Sequence, residues 1–541
     1  MYDTGGMGAA ARPLHALNRV AFGPRPGDAA RVRQIGVERY LEQQLDAASI
    51  AEPPALSERI AGLRTLHMTP VDLFREFQEP IRAAAKGDVA AQQAARRQAR
   101  QVIDEAAEAR IVRALYGPRQ LQEVMTAFWF NHFNIFAGKG LCSIWTGAFE
   151  EEAIRPHTLG RFRDLLGATA MHPAMLFYLD NWQNTAPGAP GTHGKFDGIN
   201  ENYARELMEL HTLGVNGGYT QTDVIALAHI LTGWGLVKGG AGNGQPPHGG
   251  MGLREGSGDA ALPGNPWWRR STQAGGGRAR RPDGSHGPVG PCGFYFDPPR
   301  HDFGGQTLLG HQIAGGGIAQ GERALDILAR SPATANHLSY QLAQYFVADN
   351  PSNKLVSRLA ARYQASDGNL RDVLATLFSS PEFWDPHCYG VKFKTPYEYA
   401  ISAARAVGAE VINVRPLTGT MAQMGMPLYG CPTPDGYKNT AAAWLNPEAM
   451  MMRLSFATAL GAGRLPLERG PGDNPAPMAG VKHPERVRQV EFNGASAAPD
   501  AAQLALTLAD AFSPRTADAV EAAPIQLRTP LILGSPEFMM R

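Results

Sequence analysis

The sequence predicts an all-α fold, predominantly helical with few short strands, arranged as two packed helical lobes with a Gly-rich insertion. Three observations carry this. Ala83 to Leu115 is rich in Ala, Arg, Gln and Glu and holds no extended β-branched run, so it reads as a long helix. Leu121 to Phe136, LQEVMTAFWFNHFNIF, is apolar nearly all round, as a buried helix is. After Glu322 the segments ERALDILAR, ATANHLSYQLAQYFVA, KLVSRLAARYQA and LRDVLATLFSSPEF return apolar residues at helical spacing. A chain of 541 residues exceeds one ordinary core, which divides it into an N-terminal lobe (1–237), an insertion (238–291) and a C-terminal lobe (292–541).

Taken in order, Pro13 to Leu45 predicts two short helices around the Pro24 and Pro26 turn, with Val32, Ile35, Tyr40 and Leu41 at helical spacing through RVRQIGVERYLEQQL. IRPHTLGRFRDLLGATAMHPAMLFYLDN predicts a helix opened by Pro156 and stopped before Pro173, with AMLFYLDN following at once. Thr185 to Gly198 is loop. Asn200 to Gly214 predicts the next helix, and Thr220 with Asp223 has capping-box spacing for one from Gln221 to Thr232, closed by Gly233. Lys238 to Pro291 lacks periodic apolar residues and carries a basic patch at Arg278 to Arg281, which reads as a solvated insertion. Any strands belong at places such as CGFYFDP. SPEF occurs twice, in LFSSPEFWDP and LILGSPEFMMR, and reads as a structural helix stop and turn, while Pro466 to Pro499 reads as loop.

Composition excludes several classes. Lys plus Arg (51) nearly equals Asp plus Glu (50), and a net charge of +1 supplies no field for nucleic acid or anionic lipid, so no nucleic-acid partner is expected. No run approaches the roughly 18 apolar residues of a membrane span, so no integral membrane segment is expected. The N-terminus shows no signal-peptide core, so as written the chain is expected to start in the cytoplasm unless a leader was removed before this numbering began, and its localisation stays open. Cys142, Cys292, Cys388 and Cys431 form no CxxC pair, leaving two long-range disulfides or free thiols open. There is no GxSxG elbow, no phosphate loop, no strand-linked GxGxxG, no HExxH and no ExxH.

The most informative stretch is NENYARELMELHTLG. A helix there stacks Asn202, Arg205, Glu206 and Glu209 at i, i+3, i+4 and i+7 on one polar stripe between Leu207, Leu210 and Leu213. The bland reading is a salt-bridge network, with Arg205 placed for Glu201, Glu206 and Glu209. The sharper reading is a site, with Glu206, Glu209 and Arg205 as candidate catalytic residues. His132 in FWFNHFNIF, His157, His172 and the His301-Asp302 pair are polar groups in contexts that propensity does not demand. Imidazole and carboxylate together suit a divalent transition metal such as zinc, iron or manganese. Each of these histidines taken alone is more ordinary as a satisfied core residue.

LNRVAFGPRPGD, FWFNHF, IRPHTLGRF, MHPAMLFYLDN, NENYARELMELHTLGV, YTQTDV, LTGW, HDFGGQTLLG and SPEF together resemble the bacterial family catalogued as domain of unknown function 1800. The resemblance covers most of the chain. It implies a helical fold and no established reaction, so no catalytic residue carries over. It also implies that other side chains are common at His211 and His229, and that a sulfatase-like secreted protein is a candidate partner.

Two functions follow as expectations. One is a metal-dependent enzyme, hydrolytic or oxidative, with its cleft between His132, His157, His172, the Glu206/Glu209 helix and the His301-Asp302 turn, a Glu as general base and Arg205 orienting a carboxylate. The other is a non-catalytic helical scaffold whose polar helix fixes register. A site requires side chains from several segments to meet at a solvent-reachable pocket, whereas a scaffold requires each to find a local partner and no pocket.

Overall fold

A computed structural model describes residues 7–84, 88–189, 198–236, 293–468, 499–508 and 512–541. The fold is predominantly α, with two small antiparallel ribbons. The expected insertion, Cys292 and most of the Pro466 to Pro499 stretch lie outside the described residues.

The chain opens with α1 (Arg12–Val20), α2 (Asp28–Ile35) and α3 (Val37–Leu45). The sequence pattern continues through Gly36, but Gly36 adopts φ +88° and splits the expected helix into α2 and α3. The long helix α4 (Val89–Tyr116) starts where Asp88 accepts a hydrogen bond from Ala91 N. α5 (Gln120–His132) stops earlier than expected, leaving Phe133 to Phe136 in turn. α6 (Cys142–Ala148) packs on α4 at Gly147, where an added Cβ would stand 3.1 Å from the Ala106 Cβ.

After a wide helical turn at Phe149–Ile154, Arg155–His157 forms only a short 3-10 turn. α7 (Phe162–Met171) therefore opens six residues later than Pro156 suggested, after a break at Leu159 and Gly160. It stops at His172, and α8 (Pro173–Tyr178) begins at once, as the proline spacing predicts. The signature helix α9 (Asn202–Glu209) is shorter than the pattern. α10 (Gln221–Ile230) carries the predicted capping box between Thr220 and Asp223.

β1 (Trp234–Leu236) pairs with β2 (Phe294–Phe296), the CGFYFDP strand. A second hairpin, β3 (Gln306–Leu308) with β4 (His311–Ile313), was not signalled by the alternation of HDFGGQTLLG; Leu309 and Gly310, at φ +51° and +77°, form its tight turn.

The four C-terminal patterns appear as α11 (Ile318–Arg330), α12 (Pro332–Phe346), α13 (Asn353–Ala365) and α14 (Leu370–Phe378). Beyond them run α15 (Pro396–Ala406), α16 (Pro447–Gly461) and α17 (Ile525–Leu533), the last two crossing closely where Gly461 meets Pro530. Both SPEF copies do the same work. Ser380 Oγ accepts from Phe383 N and Ser535 Oγ from Phe538 N, and each turn drives its Phe into the core. Buried apolar side chains form one cluster running from Ala16 to Met539. Segments from the two expected lobes also share backbone bonds, Phe162 N to Gly368 O and Leu370 N to Gly160 O, both at 2.9 Å.

Candidate functional site

The end of α9 organises the site. Its last carbonyls have no helical partner and must be satisfied from elsewhere. His337 Nε2, from α12, donates to Leu210 O at 3.4 Å, and His132 Nε2, from α5, donates to His211 O at 3.1 Å. A carbonyl only accepts, so in each ring Nε2 carries the hydrogen and Nδ1 the lone pair. Burial, then the neighbouring His337, lowers the His132 pKa to about 3. Burial lowers His337 too. Both imidazoles are neutral near neutral pH. Gly214 is required twice over, since its φ is +84° and a Cβ there would come within 2.8 Å of His337 Nδ1.

These histidines line a cavity of about 300 Å³. Its walls come from α5 (Phe128, Asn131, His132), the end of α9 (Glu209, Leu210), α12 (His337, Gln341, Tyr345), α15 (Tyr397, Glu398) and the loop 426–439. The two asparagines of FWFNHFNIF hold that loop over the cavity. Asn131 accepts from Tyr437 N and donates to Tyr437 O, both at 2.8 Å, as a strand neighbour would. Asn134 Nδ2 donates to Cys431 O at 3.1 Å and to Thr433 O at 2.8 Å.

Behind the wall residue Glu209, Arg205 binds Glu201 at 3.0 Å, Gln221 at 2.8 Å and Glu209 at 3.6 Å, while Asn202 Nδ2 donates to Leu179 O. Partial burial, then the charges of Glu209 and Asp435, raises the Glu206 carboxyl above its ordinary value. Glu206 is thereby better suited to hold a proton than its neighbours. Asp435 is paired with Lys438 at 2.6 Å.

The floor is Arg110, whose guanidinium lies over Phe130, Tyr397 and Tyr429 and binds Glu150 at 3.1 Å. The wide turn at Phe149–Ile154 lets Glu150 and Glu151 both face inward. Glu150 accepts from Tyr429 Oη at 2.9 Å, and Arg155 gathers Glu123 at 2.6 Å, Glu150 at 3.2 Å and Glu151 at 3.4 Å. Burial opposes the Arg155 charge, but the three carboxylates hold its pKa well above the ordinary value. Glu398, buried but paired with Arg541 at 3.0 Å, is held in its charged form.

The proposed metal ligands are not brought together. Among the described residues no group of three or more His, Cys, Asp or Glu side chains is placed to hold a metal ion. His132 caps the His211 carbonyl. His172 caps α8, accepting from Ala174 N through Nδ1, with burial lowering its pKa to about 3. His157 sits on the short turn before α7, lowered by burial against the charge of Asp164. His301 bonds Thr232 O and Gln320 Oε1, both at 2.8 Å, and Asp302 meets His229 at 2.7 Å. The expected cleft therefore keeps His132 and the Glu206/Glu209 helix, while His157, His172, His301 and Asp302 belong to other parts of the fold. His172 Nδ1, His301 and Asp302 found nearby backbone or side-chain partners, as buried polar groups normally do, while His172 Nε2 is buried without a hydrogen bond.

A family model described as "Protein of unknown function (DUF1800)" matches residues 15–540. The chain belongs to the DUF1800 family. No curated protein and no solved structure matches it. The DUF1800 assignment confirms the family expected from the sequence segments and leaves the reaction unassigned.

Sequence reasoning about this DUF1800 member missed His337, Gln341, Tyr397, Asp435 and Tyr437. A polar His337 inside ATANHLSYQLAQYFVA was a usable signal. The loop 426–439 offered none, because its place over the cavity depends on Asn131 and Asn134, some 300 residues earlier in the chain. Of the cysteines, Cys142, Cys388 and Cys431 are free thiols, and burial pushes Cys142 up to about 12, far from a reactive thiolate. No described helix is long and apolar enough to cross a membrane.

Proposed function

We propose that this chain is an enzyme that acts on a small molecule held in the 300 Å³ cavity by general acid–base chemistry. One observation carries the reading. His132 is neutral, its tautomer is fixed by the His211 carbonyl, and it lines a cavity that five separate segments enclose. Nδ1 of such an imidazole, beside the Gln341 side chain, is a hydrogen-bond acceptor held in one orientation, able to orient a substrate O–H. Glu206, raised by burial and then by the wall residues Glu209 and Asp435, supplies a proton-bearing carboxyl one helical turn before Glu209. Arg205 fixes the Glu201 and Glu209 carboxylates rather than meeting substrate. Among the described residues the donor atoms form no three-ligand set, and the reading routes no step through a metal.

The scaffold reading, including one for a sulfatase-like secreted partner, has one observation in its favour: His132 and His337 both serve as helix caps. The two readings divide on whether the cavity is used. Ala127 and Val215 line it, and Val215 is exposed at 67%. Ala127→Trp and Val215→Trp should fill the space without removing any polar group. Ligand-observed NMR against panels of sugars, carboxylates, amines and phosphates should find a class that binds the wild type and is lost in both variants. Identical binding profiles for wild type and folded variants would leave the scaffold.

A further inference from the structure

We infer that the ligand of this cavity is a neutral, polyhydroxylated ring, a single sugar unit or a cyclitol. The inference rests on the cavity being the substrate site. It follows from what the walls offer and what they have already spent.

Charge comes first. Every ionised side chain on the wall has a partner within the protein: Arg110 with Glu150, Glu398 with Arg541, Asp435 with Lys438, and Glu209 with Arg205. His132 and His337 are neutral. An anionic ligand finds no unpaired cation in the lining, where the carboxylates Glu209, Glu398 and Asp435 outnumber the cations Arg110 and Lys438. A cationic ligand finds no carboxylate without a partner inside, and the aromatic cage that would suit it is filled by Arg110. The interior therefore selects for neutrality.

Shape and polarity come next. The walls combine aromatic side chains, Phe128 and Tyr437 among them, with uncharged groups that exchange hydrogen bonds, including His132, Gln341 and Asn439. A purely apolar ligand would strand those groups without water. A linear polar one would waste the aromatic faces. A saturated ring bearing hydroxyls presents C–H faces to aromatic rings and a rim of O–H donors and acceptors to amides and imidazole. The volume, about 300 Å³, stands at the lower end of small-molecule pockets and holds one ring of roughly a dozen heavy atoms rather than a chain of them. His132 Nδ1 then takes a hydroxyl hydrogen, the only kind of donor such a ligand carries.

The test is saturation-transfer NMR and calorimetry on the full chain with neutral hexoses, inositols, the matching uronic acids, amino sugars, sugar phosphates and free aliphatic amines. A neutral hexose or inositol should bind, the matching uronic acid at least tenfold more weakly, and Ala127→Trp and Val215→Trp should each weaken binding at least tenfold while keeping the wild-type circular dichroism. His132→Gln, which keeps a donor for the His211 carbonyl, should weaken the neutral ligand in a folded protein. If charged or apolar probes bind instead and the tryptophan variants abolish that binding, the ligand class is overturned while the cavity stands as a site. If the tryptophan variants change nothing for any probe, the cavity reading itself is overturned.

Discussion

The imidazole of His132, near the end of one helix, donates its Nε2 hydrogen across 3.1 Å to the carbonyl of His211, just past the end of another. One hydrogen bond thus closes the C-terminus of the signature helix, fixes which ring nitrogen is basic, and anchors the cavity wall. His337 repeats the arrangement one residue earlier, at Leu210.

Acid should destabilise the protein earlier than a carboxylate-dominated fold. His15, His132 and His172 each fall from 6.5 to about 3 on folding, chiefly by burial. The unfolded chain therefore binds protons first as pH falls, so the stabilisation is complete above about 6.5 and is lost progressively towards about 3. Each of the three costs about 2 kcal/mol between pH 6.5 and about pH 5. Urea midpoints followed down this range should drop steeply, and a flat profile would contradict the neutral buried histidines.

Gly214→Ala should cost more than Gly218→Ala. Both glycines have positive φ, +84° and +79°, so each substitution carries a left-handed penalty of about 1–2 kcal/mol. At Gly214 the new Cβ also meets His337 Nδ1 at 2.8 Å, whereas at Gly218 nothing lies within 4 Å. Thermal unfolding of the pair should show the extra loss at Gly214 alone. Equal losses would mean that His337 yields freely and that its bond to Leu210 matters little.

Arg155→Met should be among the most damaging single changes. It leaves Glu123 buried without its cation, while Glu150 and Glu151 keep Arg110 and Arg113, a loss of about 3–5 kcal/mol. Denaturant titration should register it, and a further Glu123→Gln change should restore part of the loss by removing the carboxylate that Arg155 alone pairs. No recovery in the double variant would show that the network is not coupled through Arg155.

Asn131→Ala should loosen the loop over the cavity while sparing the core. It removes both bonds to the Tyr437 backbone. Hydrogen exchange at Tyr437 and its neighbours should accelerate, with α4 and α5 keeping their protection. Acceleration spread evenly over the chain would show that Asn131 is a general core residue instead.

The sequence by itself determined the helical class, the family, and most elements whose cause is local. Thr220 with Asp223, the proline at 173, and the four apolar-periodic segments after Glu322 are signals read within a turn or two of chain. It also singled out Glu209 and His132, which the structure places on the wall of one cavity. It overran at Gly36 and after Glu209, where a left-handed glycine and a kink beyond Leu210 outweigh a continuing pattern.

What only the tertiary structure decided is which polar groups meet. His132, His157, His172 and His301 look alike as lone polar residues in apolar surroundings, and spacing along the chain carries no information about who satisfies whom. Burial forces each to take whatever donor or acceptor the packing brings within reach: a helix-end carbonyl for His132, a backbone N–H for His172, Thr232 and Gln320 for His301. The cavity arises for the same reason. It lies where α5, α9, α12 and α15 fail to close against one another, and a loop pinned by Asn131 and Asn134 covers the gap. No local signal encodes a space between elements that meet only in the folded chain.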